Sequence, residues 1–149
     1  NKVKKKLDYK KQIKVIDSLK FLTETSTIFR ENIDAKIIAI TGSCGKTTLK
    51  ELLGKTLKKI SKTTISPKSY NNKYGVPLSL FNLSKNDNYG VLEVGMDKKG
   101  EIDYLSKIIK PDISVITNIN YAHAKNFKNI KDIALAKSEI IFSCSNFLF

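Results

Sequence analysis

Residues 36–60 read KIIAITGSCGKTTLKELLGKTLKKI, and the fold follows from how this stretch changes character twice. Lys36 to Thr41 is a short β-rich apolar run, of the kind that fills a parallel strand buried on both faces. Gly42 ends it. Beyond Gly45, the residues Leu49, Leu52, Leu53, Leu57 and Ile60 fall on one helical stripe, with Gly54 as the only local penalty. Strand, glycine loop and helix in this order suit an anion, because backbone N–H groups and the positive end of the helix dipole converge on one point. Gly42 and Gly45 let the backbone come close, with Ser43 and Cys44 between them. Lys46 can reach a β- or γ-phosphate, and the Thr47 hydroxyl, followed by Thr48, is suited to ligate Mg²⁺. The full GxxxxGK[ST] pattern is not met, since Ile40 stands five residues before Gly45, but the shorter GxxGKT core is. The plain alternative is a glycine helix start with an exposed lysine; the flanking strand and helix favour nucleotide binding.

Working outward, apolar positions from Ile13 to Phe29 recur at mostly helical spacing and predict a lead-in helix over Gln12–Phe29, closed by Glu31-Asn32. On the other side the alternation continues. Tyr89–Val94 reads as a strand, Glu101–Ile109 as a helix, Asp112–Thr117 as a strand and Asn129–Phe142 as a helix. Alternating strands and helices of these lengths predict an α/β fold, a parallel sheet flanked by helices with right-handed crossovers. Ser66 to Pro77 is dense in turn residues and reads as a long functional loop, because so long a structureless connection is uncommon unless it binds something.

The 149 residues suit one globular unit, and 41% hydrophobic content forms a core without disulfides or metals. Neither an apolar run of membrane-spanning length nor a signal-like N-terminus is present, so a cytoplasmic protein with no membrane partner is expected. Cys44 and Cys144 show no ligand spacing and read as thiols. A net charge of +13 invites a nucleic-acid partner, yet Arg30 is the only arginine, and base reading and bidentate phosphate clamps favour the guanidinium fork. The lysine run from Lys2 to Lys14 reads as a solvated face or frayed end, so no nucleic acid is expected.

Three more residues stand at the same sheet edge. Glu93 ends a predicted strand, where a carboxylate can hold Mg²⁺ but equally can cap or pair with a lysine. His123, the only histidine, follows the strand DISVITN by a short loop and by itself reads more readily as a packing or surface residue. Lys137, on the last helix, would ordinarily be a solvated side chain.

Four stretches, AITGSCGKTT, SYNNKYGVPLSL, VLEVGMDKKGEI and TNINYAHAKNFKNIKDIALAKSEI, together resemble the Mur ligases over almost the whole chain from Lys36 to Phe142. SYNN-x-x-GVPL is most similar to the members that join D-alanyl-D-alanine to UDP-N-acetylmuramoyl-tripeptide. The remaining stretches are shared with other Mur ligases and folylpolyglutamate synthetases. The resemblance implies ATP and two Mg²⁺ ions as cofactors and a monomer as the acting form. Thr47 would then hold the first ion and Glu93, His123 and a carbamylated Lys137 would organise the second, Asn118 would sit beside the nucleotide, and Asn71 and Asn72 would lie at the substrate or nucleotide edge. In this picture Lys46, His123 and Lys137 carry the catalysis. Residues 1–35 would be the end of a substrate-binding domain with its lead-in helix, and 36–149 an incomplete central ATP-binding domain that does not ligate alone. The pattern departs at Asp97-Lys98, where the family commonly carries Asn-His or arginine-containing variants.

A lysine-rich P-loop module for nucleic acid is the rival from another class. A GTPase is disfavoured, because TNIN stands where the guanine-reading NKxD belongs.

Overall fold

The computed structural model describes residues 12–121, 126–144 and 146–148. A lead-in helix α1 (Ser18–Glu31) precedes β1 (Lys36–Thr41) and α2 (Lys46–Leu57). After these come β2 (Thr63–Ile65), α3 (Gly75–Leu80), β3 (Tyr89–Glu93), α4 (Glu101–Ile109), β4 (Ile113–Ile116), α5 (Ile130–Ser138), a 3₁₀ turn (Glu139–Ile141) and β5 (Asn146–Leu148). The strands form one five-stranded sheet in the order β2-β3-β1-β4-β5. Every pairing in it is parallel.

β1 lies at the centre because it is apolar on both faces. Ile37 and Ala39 point to the side covered by α1, α3, α4 and α5, where they join Leu92, Val94, Ile102, Leu105 and Ile133 in the main core. Ile38 and Ile40 point the other way, with Val91, against Leu49, Leu53 and Leu57 of α2. Alternation along a strand produces the two layers. The chain leaves β1 toward β3 on one side and returns to β4 on the other, so the crevice beyond the carboxyl ends of β1, β3 and β4 is a topological switch point.

The lead-in helix starts later than its periodicity predicts. Asp17 caps it, its carboxylate accepting from Leu19 N at 2.8 Å and Lys20 N at 3.0 Å, and this leaves Ile13 and Ile16 exposed ahead of the first turn. The last helix also ends sooner, passing into the 3₁₀ turn at Glu139. The stretch expected to be a loop, Ser66 to Pro77, ends inside a helix over residues 75–80, in spite of Pro77. Proline is tolerated there because a helix's first N–H groups have no intrahelical partner. Gly54, a penalty in the sequence, is where α2 crosses β2: a Cβ there would come 2.5 Å from Ile65 Cδ1.

Candidate active site

The loop from Gly42 to Gly45 is shaped by the segment that follows β4. Ser43 N donates to Asn118 O at 3.0 Å, and Cys44 N to Asn118 Oδ1 at 3.0 Å. Thr117 Oγ1 donates to Cys44 O at 2.6 Å, and Ser43 Oγ to Asn120 O at 2.8 Å. The approach is so close that a Cβ on Gly42, whose φ is 147°, would collide with Thr117 Oγ1. Gly45 then opens α2 in a left-handed conformation with no side-chain cap and no acidic residue in the first turn. The N–H groups of Lys46, Thr47 and Thr48 and the positive helix end therefore face the crevice with no side-chain cap among the described residues. Lys46 Nζ folds across the loop to Gly42 O at 2.9 Å.

Opposite the helix end stands Glu93, the last residue of β3 and only 1% exposed. Its Oε2 accepts from Thr47 Oγ1 at 2.8 Å and its Oε1 from Asn71 Nδ2 at 2.7 Å. Among the described residues no cation lies within ion-pair distance of it, so the salt-bridge alternative fails. A buried carboxylate held by two neutral donors and no cation among the described residues is a site that a metal ion would suit. Asn72 has a different job from its neighbour: its Oδ1 accepts from Tyr74 N at 3.1 Å and Gly75 N at 2.9 Å, the turn that starts α3.

A cavity of about 560 Å³ extends from this point, lined by Lys46, Asn71, Asn72, Lys73, Lys98 and Tyr104 among others. Asp97 lies on its wall beside Lys98.

Lys137 contradicts the expectation of a solvated side chain. It is 2% exposed and makes no hydrogen bond or ion pair among the described residues, while burial pushes its pKa down to about 8. The charge of Lys46 pushes the same way and Cys44 opposes it. Desolvation of an unpaired ammonium favours the neutral amine. His123 lies outside the described residues, as does its spacing from Asn118.

Two buried charged residues were not singled out by sequence reasoning. Lys50 is 0% exposed on α2. Glu139, close to Lys137 along the chain, accepts from Gly100 N at 2.8 and 3.0 Å and from Asp103 N at 3.2 Å, fixing the start of α4 at the cavity rim. A signal existed for Lys50: it shares the i, i+3, i+4, i+7 face with Leu53, Gly54 and Leu57.

A glycine loop between the central strand and an uncapped helix, facing a carboxylate on the adjacent strand, defines a P-loop α/β domain. The family model of the Mur ligase middle domain matches residues 40–148. The chain belongs to the Mur ligase family. It is 47% identical over 111 residues to the UDP-N-acetylmuramoyl-tripeptide–D-alanyl-D-alanine ligase of Buchnera aphidicola, a match that covers 74% of this chain and 24% of that protein. Among solved structures, MurF from Acinetobacter baumannii superposes with a TM-score of 0.84 at 42% identity, covering 89% of this chain and 30% of that one. MurF from Thermotoga maritima in complex with ADP gives 0.81 at 34% identity, over 89% and 31%. The chain spans about a quarter of the length of the curated relatives it matches.

Proposed function

We propose that the chain is the nucleotide-binding part of an ATP-dependent ligase that joins D-alanyl-D-alanine to UDP-N-acetylmuramoyl-tripeptide in peptidoglycan precursor synthesis. The observation that carries the site is the Thr47–Glu93 pair, 2.8 Å apart at the uncapped start of α2. The ligase names of the relatives support the substrates. We also propose that residues 36–149 belong to the central domain and 1–35 to the end of a preceding domain with its lead-in helix; α1 packs on α3 and α4, as a lead-in element would.

In such a reaction ATP passes its γ-phosphoryl group to the peptide carboxylate, releasing ADP. The amine of the dipeptide then displaces phosphate to form the amide and loses a proton. The residues of this chain supply positioning and charge. The N–H groups at the start of α2 and the Lys46 ammonium hold the phosphates. Asn118 keeps the loop in shape through two hydrogen bonds.

The donor set fits Mg²⁺, a hard cation that takes one or two carboxylates and completes its shell with phosphate oxygens and water. Thr47 and Glu93 would hold one ion; His123 and Lys137 would serve a second. Magnesium, when bound, neutralises phosphate charge. For Lys137 the chemistry would be loss of the ammonium proton, then a C–N bond formed between the neutral amine and carbon dioxide with loss of a second proton, so that the side chain would end as an anionic carbamate. A buried amine with no partner among the described residues and a pKa of about 8 fits that conversion. Asn71 borders both Glu93 and the cavity, so the substrate carboxylate would approach from the Lys73 and Lys98 side.

The test is ligation by an intact enzyme bearing these residues, supplied with ATP, the UDP-tripeptide and D-alanyl-D-alanine. Amide formation that ceases on Glu93→Gln is expected. Turnover of a folate with glutamate, and none of the UDP-tripeptide, would overturn the reading.

A further inference from the structure

Lys50 is a fully buried ammonium on the same helix as Lys46 and Thr47, one turn further along, and the phosphate site does not use it. Its Nζ donates to Ser66 O at 2.9 Å and to Lys68 O, with Glu51 Oε1 at 3.5 Å. These partners are unusual. A buried lysine head commonly donates its hydrogen bonds to a carboxylate inside the fold; this one has the half-exposed Glu51 at ion-pair distance, but its hydrogen bonds go to two main-chain carbonyls of a single loop. The loop needs holding, because Lys68 has φ of 47°, a left-handed conformation costly for a residue with a Cβ.

From that clamp the chain runs directly to the metal-site carboxylate. Tyr70 N closes a turn onto Pro67 O at 3.2 Å, Asn71 O accepts from Gly95 N at 2.7 Å, and Asn71 Nδ2 donates to Glu93 Oε1 at 2.7 Å. Ser66, whose carbonyl Lys50 holds, also accepts from Glu93 N through its Oγ at 3.4 Å. The circuit returns to α2 through Glu93 Oε2 and Thr47 Oγ1. One helix therefore touches the carboxylate twice, directly through Thr47 and at a distance through the loop that Lys50 clamps.

We propose that Lys50 is a positioning residue that orients the Glu93 carboxylate through the Ser66–Asn71 loop, so that removing its ammonium weakens magnesium-dependent nucleotide binding. The inference rests on the metal-ligand reading of Thr47 and Glu93. The experiment is calorimetric titration of the chain with ATP, with magnesium and with EDTA, the ratio of affinities being the magnesium enhancement. Lys50→Met and Asn71→Ala are each expected to cut that enhancement about tenfold, the loss common for partners that orient a metal ligand. The double variant is expected to match Asn71→Ala alone, because both act through one contact. Affinity in EDTA should stay the same, which a general structural defect would not allow. An unchanged enhancement in Lys50→Met, or additive losses in the double variant, would overturn the proposal. Should Lys50→Met not fold, Lys50→Gln, whose shorter head cannot reach both carbonyls, carries the same test. A wild-type chain with no magnesium enhancement would instead overturn the metal site itself.

Discussion

Two lysines lie equally deep in this domain and are treated in opposite ways. Lys50, on α2, has its ammonium surrounded by the carbonyls of Ser66 and Lys68 and by Glu51. Lys137, on α5, has no hydrogen bond or ion pair among the described residues and faces the charge of Lys46. Burying an ammonium is unfavourable unless it is hydrogen-bonded or gives up its proton. The first lysine takes the first route and becomes part of the framework. The second takes the other, its pKa pushed down to about 8 by burial, which suits the carbamate proposed for it. Depth of burial does not separate these two lysines; the partners do.

The comparison breaks most readily at activity. Lys137→Met in the intact enzyme should lower ligation at least about a thousandfold, on the scale of losing a group that organises transition-state charge. Activity within about tenfold of wild type would remove Lys137 from the site.

Stability gives the next largest effect, and the two lysines should differ in sign. Lys50→Met strands two carbonyls and should cost about 3 kcal/mol, read as a lower midpoint in urea. Lys137→Met replaces a charge unpaired among the described residues with an apolar chain of similar size and should gain about 1–2 kcal/mol. Equal losses in both variants would erase the distinction.

The pH dependence follows from the direction of the Lys137 shift. Its folded pKa of about 8 lies below the ordinary 10.5, so between these values the unfolded chain binds more protons. The penalty is complete below about pH 8 and is relieved as pH rises toward 10.5. Across that window the wild-type chain should therefore gain stability relative to Lys137→Met, as read from urea melts of both; parallel profiles would contradict the shift.

The smallest effect belongs to Glu139, which joins the end of the Lys137 helix to the start of α4. Glu139→Gln keeps an acceptor but loses the charge beside the helix dipole, a cost of about 1 kcal/mol in the same melts. A loss as large as that of Lys50→Met would mean that Glu139 belongs to the framework too.

Much of this was legible in the sequence. Lys36–Thr41 and Glu101–Ile109 have the predicted bounds, because a buried central strand and a strongly amphipathic helix carry unambiguous periods. The glycine loop was legible because its chemistry is local. Thr63–Ile65 was not: three residues with one isoleucine carry no period, and the strand exists because β3 offers it a paired edge. The burial of Lys137 was half-visible, since Ile133, Lys137 and Ile140 share one face at i, i+4 and i+7, yet a lysine on an apolar stripe more often extends its head to water. Nothing local tells that Asn71 reaches Glu93 while Asn72 shapes a turn, because the difference arises from packing between β3 and the loop.

The claim beneath all of these is that α2 and Glu93 together hold ATP with magnesium. Calorimetric titration of the chain with ATP tests it most directly. Binding should tighten when magnesium replaces EDTA, the enhancement should vanish in Glu93→Gln, and Lys46→Ala should weaken binding with or without the metal. Binding indifferent to magnesium, or an enhancement that survives Glu93→Gln, would contradict it.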